Sequence, residues 1–353
     1  MPVMKAFFNG DSPLARPRHW PAAMAGGQGR YILPALPAVK RAFVTGVGGQ
    51  DGYYLSRLLL ARGYQVAGCD RPAALVGPPG EELRTMGVRL VEVDLLDPAG
   101  ARRAVADLRP DEIYNLAAQS FVPQSWEDPA ATIRANAWPL IHLLGAVRES
   151  GWPVRVFQAS TSEIFGLART SPQDEETPLA PANPYAAAKA LAHQLTGQYR
   201  EHHRVFACAG ILYNHESPRR PARFVTAKVC HAASAIRAGR QRELVLGDLD
   251  AARDWGFAGD YVEAMWLMLQ QAEPADCVVG TGVPHTVRDL CRIAFGAVGL
   301  DYREFVRSDP ALQRPNQPTG LVADPRRARE RLGWAPRTSF EELVRMMVEA
   351  APG

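Results

Sequence analysis

The chain has 353 residues, 47% apolar and 22% charged, a balance that supports one large α/β domain or a nucleotide-binding domain with a smaller companion. Forty lysines and arginines against 37 aspartates and glutamates leave a net charge of +3, too little for a nucleic-acid binder, and no basic stripe with interleaved aromatics is present. No apolar run reaches about 18 residues, which argues against a membrane-spanning helix.

Residues 1–39 are rich in Pro, Gly and Arg and show neither helical nor strand period. They lack the continuous apolar stretch of a secretory signal. They read as a disordered extension or an early start site, with a partner-binding tail as the alternative. The regular pattern begins at Lys40. RAFVTG predicts a strand that runs into Gly46-Val47-Gly48-Gly49-Gln50-Asp51-Gly52, and YYLSRLLLARG predicts a helix closed by Gly63. YQVAGCD is the second strand, VRLVEVDLLD the third, and PAGARRAVADLRP the helix after it. DEIYNLAA is the fourth strand; a helix through ATIRANAWPLIHLLGAVRES leads to VRVFQAS, the fifth. Strands alternating with helices predict an α/β fold, a Rossmann-type doubly wound parallel sheet, over residues 40–190. Residues 191–353 alternate short apolar runs (ACAGILY, ELVLG, DCVVG) with helices (DYVEAMWLMLQQ, TVRDLCRIAFGAVG). They predict a smaller α+β substrate lobe, some of whose strands are free to return to the sheet. The five cysteines, Cys69, Cys208, Cys230, Cys277 and Cys291, lack metal-site or disulfide-framework spacing and read as thiols of a reducing compartment, the cytoplasm. No metal site is expected, since His202-His203 has no carboxylate or cysteine to complete one.

Gly46-x-x-Gly49-x-x-Gly52 lies between a strand and a helix, where a dinucleotide pyrophosphate meets backbone N–H groups, with Gln50 and Asp51 in the same loop. Asp70 ends the second strand, placed to accept the ribose hydroxyls and to repel a 2′-phosphate. That favours NAD over NADP, and Arg71 beside it pulls the other way. Asp94 and Leu95 follow the third strand and are expected near the adenine. Leu116, Ala117, Ala118, Gln119 and Ser120 follow the fourth and are expected near the nicotinamide ribose, with Ser120 also reaching the sugar.

Tyr185 and Lys189 in NPYAAAK are spaced i, i+4 on one helix face. The ammonium beside the phenol is expected to lower the tyrosine pKa toward that of a working base. Thr161 or Ser162, in QASTSE, supplies a hydroxyl for the substrate oxygen. A simple alcohol dehydrogenase has no use for Glu163. A carboxylate there fits chemistry in which oxidation of a sugar at C4 acidifies the C5 hydrogen, which Glu163 removes as the 6-hydroxyl leaves.

With these residues assembled, the chain resembles the GDP-mannose 4,6-dehydratases, which are extended short-chain dehydrogenase/reductases. The resemblance covers residues 40–350 and is close in TGVGGQDGYYL, YNLAAQSFV, QASTSEIFG, NPYAAAK, GILYNHESPRR, DLDAARDWGFAGDYVEAMWLMLQ and LGWAPRTS. NHESPRR and ARDWGFAGDYVEAMW are its specific parts, since the fold does not demand them. The resemblance implies conversion of GDP-D-mannose to GDP-4-dehydro-6-deoxy-D-mannose plus water, with NADP retained through the cycle. It implies Thr161, Glu163, Tyr185 and Lys189 as catalytic residues. It adds His215 and Arg220 to the cofactor contacts, and Asn214, Lys228, Arg253 and Arg314 to the GDP contacts. A homodimer, through the helices at Ala135–Val147 and Tyr185–Tyr199, or a homotetramer is implied as well. The chain departs from the family at Asp70-Arg71-Pro72-Ala73, where the family carries an Arg-Arg-Ser-Ser run. It departs again at Gln317, in place of a glutamate expected on the guanosine ribose, and at Ala227, in place of an arginine. NADP or NAD thus stays open. The alternatives are a nucleotide-sugar 4-epimerase or 4-ketosugar reductase, a dehydratase of another NDP-hexose, or a non-catalytic cofactor sensor.

Overall fold

A computed structural model describes residues 39–312 and 320–352. The extension expected over 1–39 lies outside the described residues except for Val39, and so do Arg314 and Gln317.

The first half alternates strands and helices as β1 (Arg41–Thr45), α1 (Gln50–Ala61), β2 (Gln65–Cys69), α2 (Pro72–Leu75), α3 (Pro78–Met86), β3 (Arg89–Leu90), α4 (Pro98–Leu108), β4 (Glu112–Asn115), α5 (Val122–Glu127), α6 (Pro129–Ser150), β5 (Arg155–Thr161) and α7 (Pro184–His203). The chain continues through β6 (Phe206–Leu212), β7 (Asn214–Glu216), α8 (Val225–Arg237), β8 (Leu244–Leu246), β9 (Ala252–Phe257), α9 (Ala258–Met268), β10 (Cys277–Val279), β11 (Pro284–Thr286), α10 (Val287–Ala297), α11 (Tyr302–Phe305), β12 (Val306–Ser308), α12 (Arg326–Leu332) and α13 (Phe340–Glu349).

Seven strands form one sheet in the order β10-β6-β5-β4-β1-β2-β3, every neighbouring pair parallel. The order reverses between β1 and β4, the switch point at which doubly wound folds bind their ligands. The central strands are apolar runs because helices cover both faces. On one face Leu55 and Leu59 of α1, Met265 and Met268 of α9 and Leu332 of α12 close over β1, β2 and β6. On the other, Val105 of α4, Leu140, Leu143 and Leu144 of α6 and Ala192 of α7 close over β1, β4 and β5. A separate core lies among α8, α10 and α13, built from Ile236, Leu290, Phe295, Leu343 and Met347 with Leu244, Leu246 and Trp255. A three-stranded sheet, β11-β9-β7, and a two-stranded one, β12-β8, accompany it.

Two features differ from the sequence expectation. The third strand is only Arg89–Leu90, because this edge has one neighbour and the chain beyond turns at once: Asp94 Oδ1 accepts from Leu96 N at 2.8 Å, and Asp97 caps α4. Helices α2 and α3 occupy the segment between the second and third strands, where none was expected. Pro72 and Pro78 start them, as proline does at a first helical position.

Candidate active site

The C-terminal ends of β1, β2, β4, β5 and β6 open into a cleft of about 1670 Å³. Ordinary small-ligand sites measure about 300–1,000 Å³, so this one has room for a dinucleotide and a nucleotide sugar together. Gly46, at φ +69°, holds the turn after β1; a Cβ there would stand 2.8 Å from Ala117 N, so the β1 and β4 turns touch backbone to backbone. A Cβ on Gly52 would lie 2.5 Å from Val47 Cα and 2.6 Å from Gly46 O, which seats α1 directly on the loop. The first N–H groups of α1 therefore face the cleft at a helix N-terminus, the natural seat of a pyrophosphate.

The polar side chains of this loop turn to the chain itself. Gln50 Nε2 donates to His215 O at 2.8 Å, and its Oε1 accepts from Ser217 Oγ at 2.9 Å. Asp51 Oδ2 lies 2.9 Å from His215 Nε2, while His215 Nδ1 lies 2.8 Å from Tyr213 O. Burial alone would push the Asp51 carboxyl up, but His215 and Arg220 hold it below its ordinary range. Burial likewise works against a charged His215, and Asp51 overcomes it and raises the imidazole pKa. Arg220 pairs with Glu216 at 2.9 Å and Glu216 also accepts from Thr226 Oγ1 at 2.7 Å. The NHESPRR stretch thus braces the glycine loop from below, a demand of this fold as much as of any ligand.

Asp70 Oδ2 accepts from Gly48 N at 3.0 Å and Oδ1 from Arg71 N at 2.7 Å, which fixes its carboxylate at the rim where an adenosine ribose would arrive. Asp94, Leu95 and the run Leu116–Ser120 also line the cleft. Asp51 Oδ1, Gln119 Oε1 and Ser160 Oγ are buried along it with no hydrogen-bond partner among the described residues, polar atoms that a dinucleotide or sugar would satisfy. The loop, the helix terminus and the carboxylate together fit a nicotinamide dinucleotide.

β5 and α7 carry the groups expected to react. β5 ends at Thr161, whose Oγ1 accepts from Glu163 N at 3.3 Å and opens one tight turn over Ser162–Ile164. α7 begins at Pro184, and Tyr185 and Lys189 are both buried on the face toward β5. Lys189 Nζ donates to Ala159 O at 2.9 Å. Burial lowers its pKa to about 8, against the pull of Asp51. Tyr185 departs from the expectation: burial pushes the phenol up to about 12, and the opposing pull comes from Thr161 and Arg220. The ammonium is committed to the Ala159 carbonyl, so desolvation of the phenol outweighs it. Thr161, Ser162, Glu163, Tyr185 and Lys189 all face the same cleft.

Asn214, Lys228 and Arg253 line the far part of the cleft. Lys228 Nζ donates to Val245 O at 2.9 Å, and Arg253 Nη1 to Ala252 O at 2.6 Å. Within ARDWGFAGDYVEAMW the neighbours of Arg253 are structural, contrary to the expectation that the fold does not demand that stretch. Asp254 accepts four hydrogen bonds from Thr281, Gly282 and Ala323, and Asp260 accepts from Arg337 N and Thr338 N. The sequence reading missed Asn183, whose Nδ2 donates to Glu163 Oε2 at 3.1 Å. It also missed Arg219, which stacks 3.7 Å over Tyr53 and pairs with Glu82 of α3 at 2.7 Å. The only signal for Asn183 was its place before Pro184, that of a helix cap.

A parallel doubly wound sheet whose switch-point cleft carries a glycine loop and a Tyr-x-x-x-Lys helix beside a hydroxyl-bearing strand defines an extended short-chain dehydrogenase/reductase. The family model for GDP-mannose 4,6 dehydratase matches residues 43–347. GDP-mannose 4,6 dehydratase 2 of Arabidopsis thaliana is 46% identical over 324 residues, which is 88% of this chain and 86% of that one. GDP-mannose 4,6 dehydratase of Homo sapiens is 38% identical over 362 residues, 95% and 96% of the two chains. The chain belongs to the GDP-mannose 4,6-dehydratase family. Among solved structures, the UDP-glucose 4-epimerase of Thermus thermophilus in complex with NAD is 29% identical with a TM-score of 0.76, covering 88% of this chain and 98% of that one. RMD from Pseudomonas aeruginosa complexed with NADPH is 24% identical with a TM-score of 0.73, over 88% and 98%, a likeness of fold.

Proposed function

We propose that this protein is a GDP-mannose 4,6-dehydratase, converting GDP-D-mannose to GDP-4-dehydro-6-deoxy-D-mannose and water. The observation that carries the reading is Glu163 in one cleft with Thr161, Tyr185 and Lys189, in a chain of this family. NADP or NAD, held by the residues named below, would supply the redox chemistry: hydride acceptance from C4 and hydride return at C6. Thr161 or Ser162 holds the O4 hydroxyl, and Tyr185 takes its proton as the C4 ketone forms. Lys189, one turn along α7, would offset through its positive charge part of the burial that holds this phenol up. The ketone acidifies the C5 hydrogen; Glu163 takes this proton as the C5–H electrons form the C5–C6 double bond and the C6–O bond breaks. The same proton leaves on O6 as water, so Glu163 ends as it began. Hydride return to C6 leaves an electron pair at C5 that takes the proton Tyr185 received from O4, exchanged with solvent, so Tyr185 also ends as it began.

The glycine loop with Gln50 and Asp51, Asp70, Arg71, Asp94, Leu95, the Leu116–Ser120 turn, Lys189, His215 and Arg220 hold the dinucleotide in this reading. Asn214, Lys228, Arg253, Arg314 and Gln317 hold the GDP moiety, with Ser120 near the sugar. Residues 40–190 carry chiefly the cofactor, and 191–353 chiefly the nucleotide sugar. The carboxylate of Asp70, fixed at the rim, favours the free 2′-hydroxyl of NAD, while membership of the family favours NADP. A homodimer through α6 and α7 is supported by Ile133, Trp138 and Leu191, which those helices leave at least 40% exposed, and a homotetramer is the larger alternative. Among the described residues no helix is long and apolar enough to cross a membrane, and the reading places the work in the cytoplasm.

The test is to incubate the protein with GDP-mannose in deuterated water, with NAD and NADP in parallel, and to analyse the product by mass spectrometry and NMR. Loss of one water with deuterium at C5 is the expected outcome, and the faster tube identifies the cofactor. A C4 epimer or an undehydrated sugar would overturn the reading in favour of epimerase or reductase chemistry.

A further inference from the structure

Asn183 lies between two parts of the site. Its Oδ1 accepts from Ala186 N at 2.8 Å and caps α7, the helix that carries Tyr185 and Lys189. The amide cannot turn over without placing its NH₂ against that N–H, so Nδ2 must face the Glu163 carboxylate, where it donates to Oε2 at 3.1 Å. Glu163 Oε1 has no hydrogen-bond partner among the described residues, and the side chain is half-buried on the cleft wall with Asn183 beside it. The carboxylate is thus tied at one oxygen and open at the other.

We propose that Asn183 is the positioning residue for the elimination step. Its side-chain amide registers the Glu163 carboxylate to the first turn of α7, so that the base for C5 and the phenol for O4 keep one geometry through both halves of the reaction. This rests on the reading of Glu163 as the C5 base. Two features make the geometry matter. Glu163 lies within a single tight turn and its side chain has three rotatable bonds, so its head is otherwise loosely held. Proton abstraction in turn demands hydrogen-bond reach and alignment. Oε2 takes the amide N–H, and Oε1 takes the C5 proton and passes it to the departing O6.

The test uses Asn183→Asp and Asn183→Ser in the full chain, with Glu163→Gln as reference. Aspartate and serine cap helices about as well as asparagine, so α7 keeps its start in both, while the amide donor is lost. Aspartate also sets a second carboxylate against the first. The expected result is an unchanged melting temperature and product formation slowed about 10- to 100-fold. Measured with GDP-mannose deuterated at C4 or at C5, the kinetic isotope effect from C5 grows and that from C4 shrinks, because only elimination has become slow. A purely structural role for Asn183 would slow both steps and leave the isotope effects where they are. That outcome, or product at the parental rate in both variants with Glu163→Gln inactive, overturns the proposal alone. Product at the parental rate in Glu163→Gln overturns the reading of Glu163 itself, and the positioning role with it.

Discussion

Asp254, in the middle of β9, is fully buried, and both its oxygens are in use: Oδ1 accepts from Thr281 N and Oγ1 at 2.9 and 2.6 Å, and Oδ2 from Gly282 N and Ala323 N at 2.8 and 3.1 Å. Glu163, just past the tip of β5, is half-buried, accepts one side-chain bond and keeps one oxygen open to the cleft. Both carboxylates sit in stretches that carry the family resemblance, yet they do opposite work. Asp254 has its four acceptor positions filled and ties the segments at 281–282 and 323 to β9, as Asp260 ties 337–338 to the start of α9. A buried carboxylate with every lone pair engaged is a strut. One with a lone pair left over, facing a cleft, is available to a ligand.

Substitutions at these two sites should separate cleanly. Glu163→Gln is expected to slow product formation by about 10²- to 10⁴-fold, the usual worth of a general base, with the urea midpoint unchanged. Asp254→Asn brings an NH₂ group against N–H donors in a dry site and is expected to lower unfolding stability by about 3 kcal/mol, read from urea titration, with turnover per folded molecule preserved. If Asp254→Asn instead leaves the midpoint alone and abolishes turnover, the strut and the open carboxylate have been assigned the wrong way round.

Smaller effects are expected at the cofactor end. Asp70→Ala removes the charge fixed by Gly48 N, and should shift the ratio of dissociation constants for NAD and NADP by about tenfold toward NADP, whichever the parent prefers. Calorimetric titration of each dinucleotide checks it without reliance on turnover. The smallest effect is the pH dependence of the Asp51–His215 pair. His215 is raised in the folded chain, so its stabilisation is complete below about pH 6.5 and is lost as pH climbs through the folded value. The melting temperature of the parent should therefore fall relative to that of His215→Gln as pH is raised above about 6.5. Parallel curves would remove the charge from that pair.

Much of the first half of the chain's fold was legible as written. Apolar runs bounded by glycines and helix caps gave away the strands at 41–45, 65–69, 112–115 and 155–161, because a strand covered on both faces has no alternative composition. The third strand was read too long, since apolar content alone does not reveal that an edge has only one neighbour. The i, i+4 spacing placed Tyr185 and Lys189 on one face correctly. It could not say that Lys189 would give its N–H to Ala159 or that burial would dominate the phenol. Conversely, ARDWG and NHESPRR read as ligand-binding signatures, and much of their content turned out to brace the chain against itself.

The sequence by itself determined the parallel sheet, the glycine turn and the grouping of hydroxyl, carboxylate, phenol and ammonium in one cleft, because each follows from local periodicity or from spacings of a few residues. Only the tertiary structure decided which polar groups are struts and which stay open. The bonds that settle this run from Glu163 to Asn183, from Asp51 to His215 and from Asp254 to Ala323, across separations that no local pattern encodes. A lone pair's availability depends on every neighbour that folding brings within about 3 Å, and those neighbours are chosen by packing.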